Sequence, residues 1–275
     1  MPPEAFATGC GWPVSCLFEI PADFPCGFYR LLGVADVPGV GSPGEHYFVV
    51  TPSAAEAAAA DITVVCSTAT WTAYNAFGGA SSYRGSDAAA AAPSGFTIPE
   101  LENGSGQLSI HRPIDPGRLS VPGGSASAPR NLPATITGVT AESALADTRT
   151  ADFARKHGIS PFYCGIGWAM YEQPFVEWAE AEGFSVVFLT QMDLHEAGLD
   201  QPRPAAAAAA AAAAQMLDRV KCLVMVGHCE YWSWEMRDAV DRYIDQGGHV
   251  ARFAGNFWWQ VRIQGDHSEE QICYK

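Results

Sequence analysis

Four short apolar runs, rich in β-branched residues, place the strongest constraint on the fold of this chain. They occupy positions 62–66, 184–189, 222–226 and 249–253, and segments with helical periodicity lie between them. Strands that are apolar on both sides and alternate with helices are typical of a parallel sheet covered on both faces. The pattern therefore predicts an α/β fold around a mostly parallel sheet.

Two of the intervening helices have clear start and stop signals. Pro174 suits a first helical position, and Gly183 follows the last apolar residue of that helix. Ser233 is a good N-cap for a second helix, which the Gly247-Gly248 pair would end. Residues 222–253 therefore read as one strand–helix–strand unit.

The character of the sequence divides the chain into two parts. Residues 1–50 hold short apolar runs at 15–20, 27–32 and 45–50, bounded by Pro and Gly, and we predict a β-sandwich-like segment there. Residues 51–275 are predicted to form a doubly wound, mostly parallel α/β domain of the flavodoxin or glutamine-amidotransferase-like type. A Gly/Pro-rich stretch at about 85–161 shows little periodicity and is predicted to be an irregular insertion.

Charge and cysteine content exclude several classes of function. The 275 residues include 16 Lys and Arg against 30 Asp and Glu, a formal net charge of −14. A chain this acidic is a poor binder of nucleic acid or of an anionic membrane surface, since both require many cationic contacts. We expect no membrane span, and the eight scattered cysteines favour reduced thiols in the cytoplasm.

Polar residues follow the predicted strands at the ends where a ligand would bind. Ligands of open parallel sheets lie beyond the carboxyl ends of the strands. Tyr74 comes shortly after the first run, His228 and Glu230 follow the third, and Asn256 follows the fourth. Four such groups on one rim exceed what a core needs, so we predict a functional site there.

Five motifs around these positions resemble a known family. They are T-x-x-A-Y-N-x-x-G-G at 70–79, Y-E-x-P-F at 171–175, T-x-x-D-L-H at 190–195, G-H-x-E-Y-W-S-W-E-M-R-D at 227–238 and G-N-x-x-W-Q-V-R at 255–262. In this order they resemble the large subunit of N,N-dimethylformamidase and its relatives. The resemblance covers roughly residues 45–275.

The resemblance implies an amidohydrolase with a mononuclear Fe(III) ion. In that family two tyrosinates and one glutamate hold the ion, which activates water to hydrolyse a small N-alkylated amide. Matched by motif, Tyr74 is one tyrosine ligand and Glu230 is the carboxylate, while His228 and Asn256 line the pocket. Anionic oxygen ligands suit a hard ferric ion.

The chain departs from the family at the second tyrosine. The matching segment is Ser109-Ile110-His111-Arg112-Pro113-Ile114, with Ile114 where the family has tyrosine. His111 or Tyr83 could supply the missing ligand, and spacing alone favours neither. The predicted metal-ligand set is Tyr74, Glu230 and His111, with Tyr83 as the alternative.

Two other functions stay open at this point. Cys229, between a predicted strand and a helix, could be the nucleophile of an amidotransferase-like elbow. Ile114 also suits a catalytically inactive relative that serves as a structural or interaction subunit. His195 and Asp193 are interpreted as helix-capping residues.

Assembly is expected as well. Trp- and Phe-rich segments lie near both ends of the chain, and exposed aromatic surface normally marks a partner. The family works as a large subunit beside a small one. We therefore expect a homo-oligomer, and a small partner subunit in addition to the small amide substrate.

Overall fold

A computed structural model gives the arrangement of most of the chain. It describes residues 2–21, 23–33, 44–83, 104–115, 117–121, 148–158, 166–202, 204, 207–256, 259–265 and 270–273. The helices are α1 (Ala5–Thr8), α2 (Ala54–Ala59), α3 (Thr68–Tyr74), α4 (Thr148–His157), α5 (Glu172–Ala181), α6 (Gln191–Ala197), α7 (Ala207–Leu217) and α8 (Trp234–Asp245). The strands are β1 (Gly27–Gly33), β2 (Gly44–Val50), β3 (Ile62–Cys66), β4 (Gln107–Ser109), β5 (Val186–Thr190), β6 (Cys222–His228), β7 (Tyr231–Trp232), β8 (His249–Gly255), β9 (Trp259–Gln260), β10 (Arg262–Gln264) and β11 (Glu270–Ile272).

A four-stranded parallel sheet forms the centre of the fold. Its strand order is β5-β3-β6-β8, so the four predicted apolar runs all become neighbouring strands of one sheet. The strand–helix–strand unit predicted for 222–253 is confirmed as β6, α8 and β8. All four strands end at the same edge, which is the edge that carries the predicted polar residues.

Both faces of this sheet are covered. One face buries a cluster that joins α2, α6, α7 and α8, with Leu194, Leu217 and Met236 almost inaccessible to solvent. The other face packs Val64 and Phe188 against Trp168 and against Val176 of α5. The chain is therefore mixed α/β, as predicted; the flavodoxin or glutamine-amidotransferase-like fold stays a prediction.

The N-terminal part agrees only partly with the predicted β-sandwich-like segment. Strands β1 and β2 pair antiparallel, from Gly27 opposite Val50 to Gly33 opposite Gly44, and Phe28 packs on Trp168. The predicted strand at 15–20 is wrong, because these residues form no strand and are exposed. A β-sandwich stays a prediction, since among the described residues β1 and β2 form a sheet of two strands, which packs against Val64 and Phe188 of the parallel sheet.

Most of the predicted insertion at 85–161 lies outside the described residues. The described parts, 104–115, 117–121 and 148–158, contain β4 and α4, so the stretch is not wholly irregular. β4 pairs with β11, which pairs with β10, in a small antiparallel sheet near the C-terminus. Helix α4 has basic residues in its last turn, where positive charge interacts favourably with the helix dipole.

Local signals set the ends of the best-predicted helices. The hydroxyl of Ser233 accepts a hydrogen bond from the Met236 N–H at 3.2 Å, so Ser233 is the N-cap of α8 as predicted. Helix α5 begins at Glu172, two residues before Pro174. No described helix is long and apolar enough to cross a lipid bilayer.

Helices α6 and α8 approach each other closely on one face of the sheet. His195 Nδ1 lies 2.9 Å from Ser233 Oγ, which joins the end of α6 to the start of α8. Thr190 is the N-cap of α6, and its N–H donates a hydrogen bond to Asp193 Oδ2 at 2.7 Å, so Asp193 is a capping residue as interpreted. Gly198, just after α6, lies against the backbone of Glu235.

A methyl group at Gly198 should therefore destabilise the fold. A Cβ at this position would overlap the carbonyl oxygen of Glu235, so Gly198→Ala should lower the free energy of unfolding by about 2 kcal/mol or more. Gly255→Ala is the matched control, because a Cβ there has open space, and it should change stability by less than about 1 kcal/mol. Urea unfolding measures both; equal effects would contradict the close packing.

Candidate metal centre

A glycine in the left-handed region lies near the end of β6, just before two polar side chains. Gly227 has a φ of +77°, in the left-handed region, and a Cβ on it would overlap the ring of Tyr171. The close approach of Tyr171 leaves room only for glycine there. His228 ends β6 and Glu230 follows it, so both lie at this edge of the sheet.

Helix α3 brings the first phenol to this edge and also fixes the position of Glu230. The Glu230 N–H donates to Thr70 Oγ1 at 2.9 Å, and Thr70 is fully buried. Tyr74 lies one turn after Thr70, on the same face of the helix. Tyr74 Oη donates to Glu230 Oε2 at 3.3 Å and lies 3.2 Å from His228 Nε2.

The segment after α3 brings in a second phenol. The Ser82 N–H donates to the Ala73 carbonyl at 2.8 Å, which folds this segment back on the helix. Tyr83 then donates from Oη to Glu230 Oε2 at 3.0 Å, and its ring centroid lies 4.3 Å from that of Tyr74. Two phenol oxygens and an imidazole nitrogen thus surround one carboxylate oxygen.

His228 completes the contacts of that oxygen. Its Nε2 lies 3.0 Å from Glu230 Oε2, and the Glu230 side chain is only 6% exposed. Burial of a carboxylate is costly unless hydrogen bonds or a charge compensate it. The four side chains Tyr74, Tyr83, His228 and Glu230 are called the phenol–carboxylate cluster below.

Burial also controls the ionisation of the two phenols. Desolvation is the largest cause that raises the pKa of Tyr74, and the neighbouring Tyr83 and Glu230 add to it. Desolvation likewise raises the pKa of Tyr83, followed by the effects of Tyr231 and Glu230. Without a cation in the site, both phenols therefore keep their protons and act as hydrogen-bond donors.

Comparison with known proteins gives the family of the chain. The family model described as "N,N-dimethylformamidase beta subunit-like, C-terminal" matches residues 1–275. The chain belongs to this family. A search of curated proteins found no match to it.

Three of the residues assigned from the family resemblance meet in the cluster. Tyr74, His228 and Glu230 come from α3 and from the end of β6, and they lie within 3.0 to 3.3 Å of one another. Asn256 follows Gly255, whose Cα is paired with that of His228 across β6 and β8. Its φ of +42° is unusual for a residue other than glycine, although asparagine adopts it more readily than most.

His111 does not join them. Its side chain is exposed, and its carbonyl accepts a hydrogen bond from Cys10 in the N-terminal segment. His111 therefore lies outside the cluster, whereas the alternative, Tyr83, contacts Glu230 within it, and the choice of metal ligand between the two stays a prediction. Sequence spacing could not decide between them because residues 84–108 separate Tyr83 from the segment around His111.

Ile114, where the resemblance leads us to expect a tyrosine, faces a different part of the molecule. It packs with the apolar cluster of Val64, Trp71 and Phe188 and lines a cavity of about 270 Å³. Thr68 and Thr72 of α3 line the same cavity, on the face of the helix away from Tyr74. Ile114 therefore lies apart from the phenol–carboxylate cluster.

Two residues of the site were not predicted. Tyr231 Oη donates to Tyr83 Oη at 2.7 Å, and Thr70 holds the Glu230 backbone. Both lie inside motifs identified in the sequence, at 70–79 and 227–238, so their positions could be seen in the sequence. Their roles were not, because they depend on contacts between segments about 150 residues apart.

Glu172 is a second buried acid near the same strand ends. Its Oε1 accepts a hydrogen bond from the Ser67 N–H at 3.4 Å, and Oε2 has no hydrogen-bond partner among the described residues. Desolvation is the largest cause that raises the pKa of Glu172 to about 7. At neutral pH this carboxyl is therefore partly protonated.

Glu172 should make stability fall as the pH rises. Its pKa increases from a usual value of 4.5 to about 7 on folding, so the folded state holds the proton more tightly. The free energy of unfolding should then decrease between these values, by about 3 kcal/mol in total. Glu172→Gln should remove this decrease, as measured by urea unfolding at about pH 5 and about pH 8.

The control for this prediction lies on the same helix. Glu180 is exposed near the end of α5, and Glu180→Gln should leave the pH dependence as in the unsubstituted protein. A decrease that survives unchanged in Glu172→Gln would show that other groups cause it.

Proposed function

We propose that the chain is an iron-dependent amidohydrolase that hydrolyses a small N-alkylated amide, of the N,N-dimethylformamide type, to formate and a dialkylamine. The proposed ligands of a mononuclear Fe(III) ion are Tyr74, Tyr83 and Glu230. The observation that supports this most is the approach of two phenol oxygens to one carboxylate oxygen, at 3.3 and 3.0 Å.

The donor set suits such an ion. Two phenolates and a carboxylate are hard, anionic oxygen ligands, which a ferric ion prefers over neutral nitrogen or soft sulfur. Among the described residues, no group of three His, Cys, Asp or Glu side chains is arranged to hold a metal. The proposed set instead combines the carboxylate of Glu230 with the two phenols that contact it.

The residues around the site have tasks of their own in this reaction. A ferric ion supplies Lewis acidity, which polarises a carbonyl group and makes water acidic enough to act near neutral pH. His228, whose Nε2 lies next to Tyr74 and Glu230, is proposed to take a proton from the water and to pass it to the leaving amine nitrogen. In this hydrolysis, one amide and one water molecule give one carboxylic acid and one amine.

The substrate is proposed to be a small amide, and three aromatic rings lie at the cluster. The ring centroids of Tyr74 and Tyr83 lie 4.3 Å apart. The Tyr231 ring meets both edge to face, with its centroid 6.4 Å from each. The family description names N,N-dimethylformamidase, which supports an amide of that size. Asn256, beyond the end of β8, is proposed to bind the polar end of the substrate.

Substitution of either phenol tests this function. Tyr74→Phe and Tyr83→Phe should each weaken ferric ion binding by about tenfold or more and reduce the visible phenolate-to-iron absorption. Formate release from N,N-dimethylformamide should fall with them. His111→Ala is the control, because His111 is exposed and lies apart from the cluster. Iron loss in His111→Ala, with full binding in Tyr83→Phe, would reverse the assignment.

The structure gives little support to Cys229 as a nucleophile. Cys229 is fully buried, and desolvation is the largest cause that raises the pKa of its thiol. Its carbonyl accepts hydrogen bonds from Trp232 Nε1 and Arg252 Nη2, both at 2.9 Å. A reactive cysteine needs access and a lowered pKa, and Cys229 has neither.

Replacement of this cysteine separates the two enzyme hypotheses. Cys229→Ser should keep iron binding and most of the amidase activity, since the proposed reaction does not use the thiol. Steady-state assays of formate release measure this. An iron-replete Cys229→Ser protein without activity would favour the thiol nucleophile instead.

Assembly with a partner belongs to the same proposal. The family is described as beta subunit-like, which suggests a multi-subunit complex. Trp12, Leu17 and Phe18 in the N-terminal segment are 60%, 89% and 59% exposed, a large apolar surface for one short segment. A non-catalytic subunit, the remaining alternative, is the conclusion if purified protein binds no iron and hydrolyses no amide.

A further inference from the structure

Tyr231 is the third phenol of this region, and its hydroxyl reaches the cluster through Tyr83. Tyr231 Oη donates to Tyr83 Oη at 2.7 Å, and the two rings meet edge to face at an angle of 88°. Tyr231 is fully buried in the core. A buried phenol needs a hydrogen-bond partner. Tyr83, which also contacts Glu230, accepts the hydrogen bond of the Tyr231 hydroxyl.

The backbone of Tyr231 is held on both sides, independently of Tyr83. Its N–H contacts Thr70 Oγ1 at 3.4 Å, and its carbonyl accepts a hydrogen bond from Gln191 Nε2 at 2.6 Å. Gln191 in turn accepts, at Oε1, the N–H of Ala69 in α3 at 3.0 Å. These hydrogen bonds connect β7 to α3 and α6, so the backbone that carries the Tyr231 ring is held in place.

Tyr83 needs such support more than Tyr74 does. Tyr74 belongs to α3, whose backbone fixes its direction, whereas Tyr83 lies after the helix in a segment without regular structure. The hydrogen bonds run in one direction, from Tyr231 to Tyr83 and from Tyr83 to Glu230. If Tyr83 gives up its proton to bind a cation, its oxygen still has a lone pair that can accept from Tyr231.

We propose that Tyr231 is a positioning residue that holds the Tyr83 oxygen at the cation site and tunes its electron donation to the metal. This inference rests on the proposed function, since it concerns the same site. A hydrogen bond to a phenolate oxygen stabilises its lone pairs, which raises the energy of the phenolate-to-iron transition. Partners that orient metal ligands in this way typically contribute 10–100-fold to metal affinity.

The test is the visible spectrum and ferric ion affinity of Tyr231→Phe, which removes one hydroxyl and keeps the ring. We expect the absorption band to move to longer wavelength and the affinity to fall by about tenfold. A purely structural role would lower the melting temperature without moving the band. If Tyr231→Phe does not fold, as judged by circular dichroism, Tyr231→Met removes the same donor and should show the same shift.

Tyr243→Phe is the matched control. Tyr243 is also a buried tyrosine, but its hydroxyl contacts the backbone of Val220 and His249 at the other end of β6 and β8. Its loss should lower stability and leave the band unchanged. In a Tyr83→Phe background, Tyr231→Phe should cause no further shift, because the acceptor is gone.

The outcomes separate this inference from the proposed function. A protein that takes up ferric iron and keeps the same band in Tyr231→Phe overturns the role of Tyr231 alone. A shift that persists in the Tyr83→Phe background also overturns it, since the effect would then bypass Tyr83. If the unsubstituted protein takes up no ferric iron, the proposed function is wrong and the role of Tyr231 at a metal is wrong with it.

Discussion

The hydroxyl of Thr70 joins the two halves of the candidate site. It accepts the backbone N–H of Glu230 at 2.9 Å and contacts that of Tyr231 at 3.4 Å. Thr70 lies one helical turn before Tyr74, so the same turn of α3 fixes a phenol and the carboxylate that it contacts. The Glu230 carbonyl is held separately, because it accepts a hydrogen bond from the Trp259 N–H of β9 at 2.9 Å. The distances among the phenol–carboxylate cluster follow from the connection through Thr70.

Two buried acids near the same strand ends have different surroundings. Glu230 is contacted by two phenol hydroxyls and by His228, whereas one oxygen of Glu172 has no hydrogen-bond partner in the described part of the chain. At Glu172 desolvation outweighs the hydrogen bonds that favour the carboxylate, and it raises the pKa to about 7. Glu230 has polar partners arranged around it, as expected of a group that binds a ligand, while Glu172 influences stability.

The sequence predicted the fold better than it predicted the site. Continuous apolar runs and cap residues such as Ser233 are local signals, so the parallel sheet and α8 were found correctly. The run at 15–20 has similar composition but forms no strand, because pairing depends on a partner that the run itself cannot reveal. Tyr83 could not be chosen over His111, since the choice depends on how the chain folds back after α3. Tyr231 was missed for the same reason.

The central claim is that Tyr74, Tyr83 and Glu230 together form the binding site of a ferric ion. Anomalous diffraction at the iron absorption edge, from crystals of the protein loaded with Fe(III), tests it most directly. The predicted result is one anomalous peak within bonding distance of both phenol oxygens and the Glu230 carboxylate. A peak beside His111, or iron-loaded crystals with no peak at these three side chains, would contradict it.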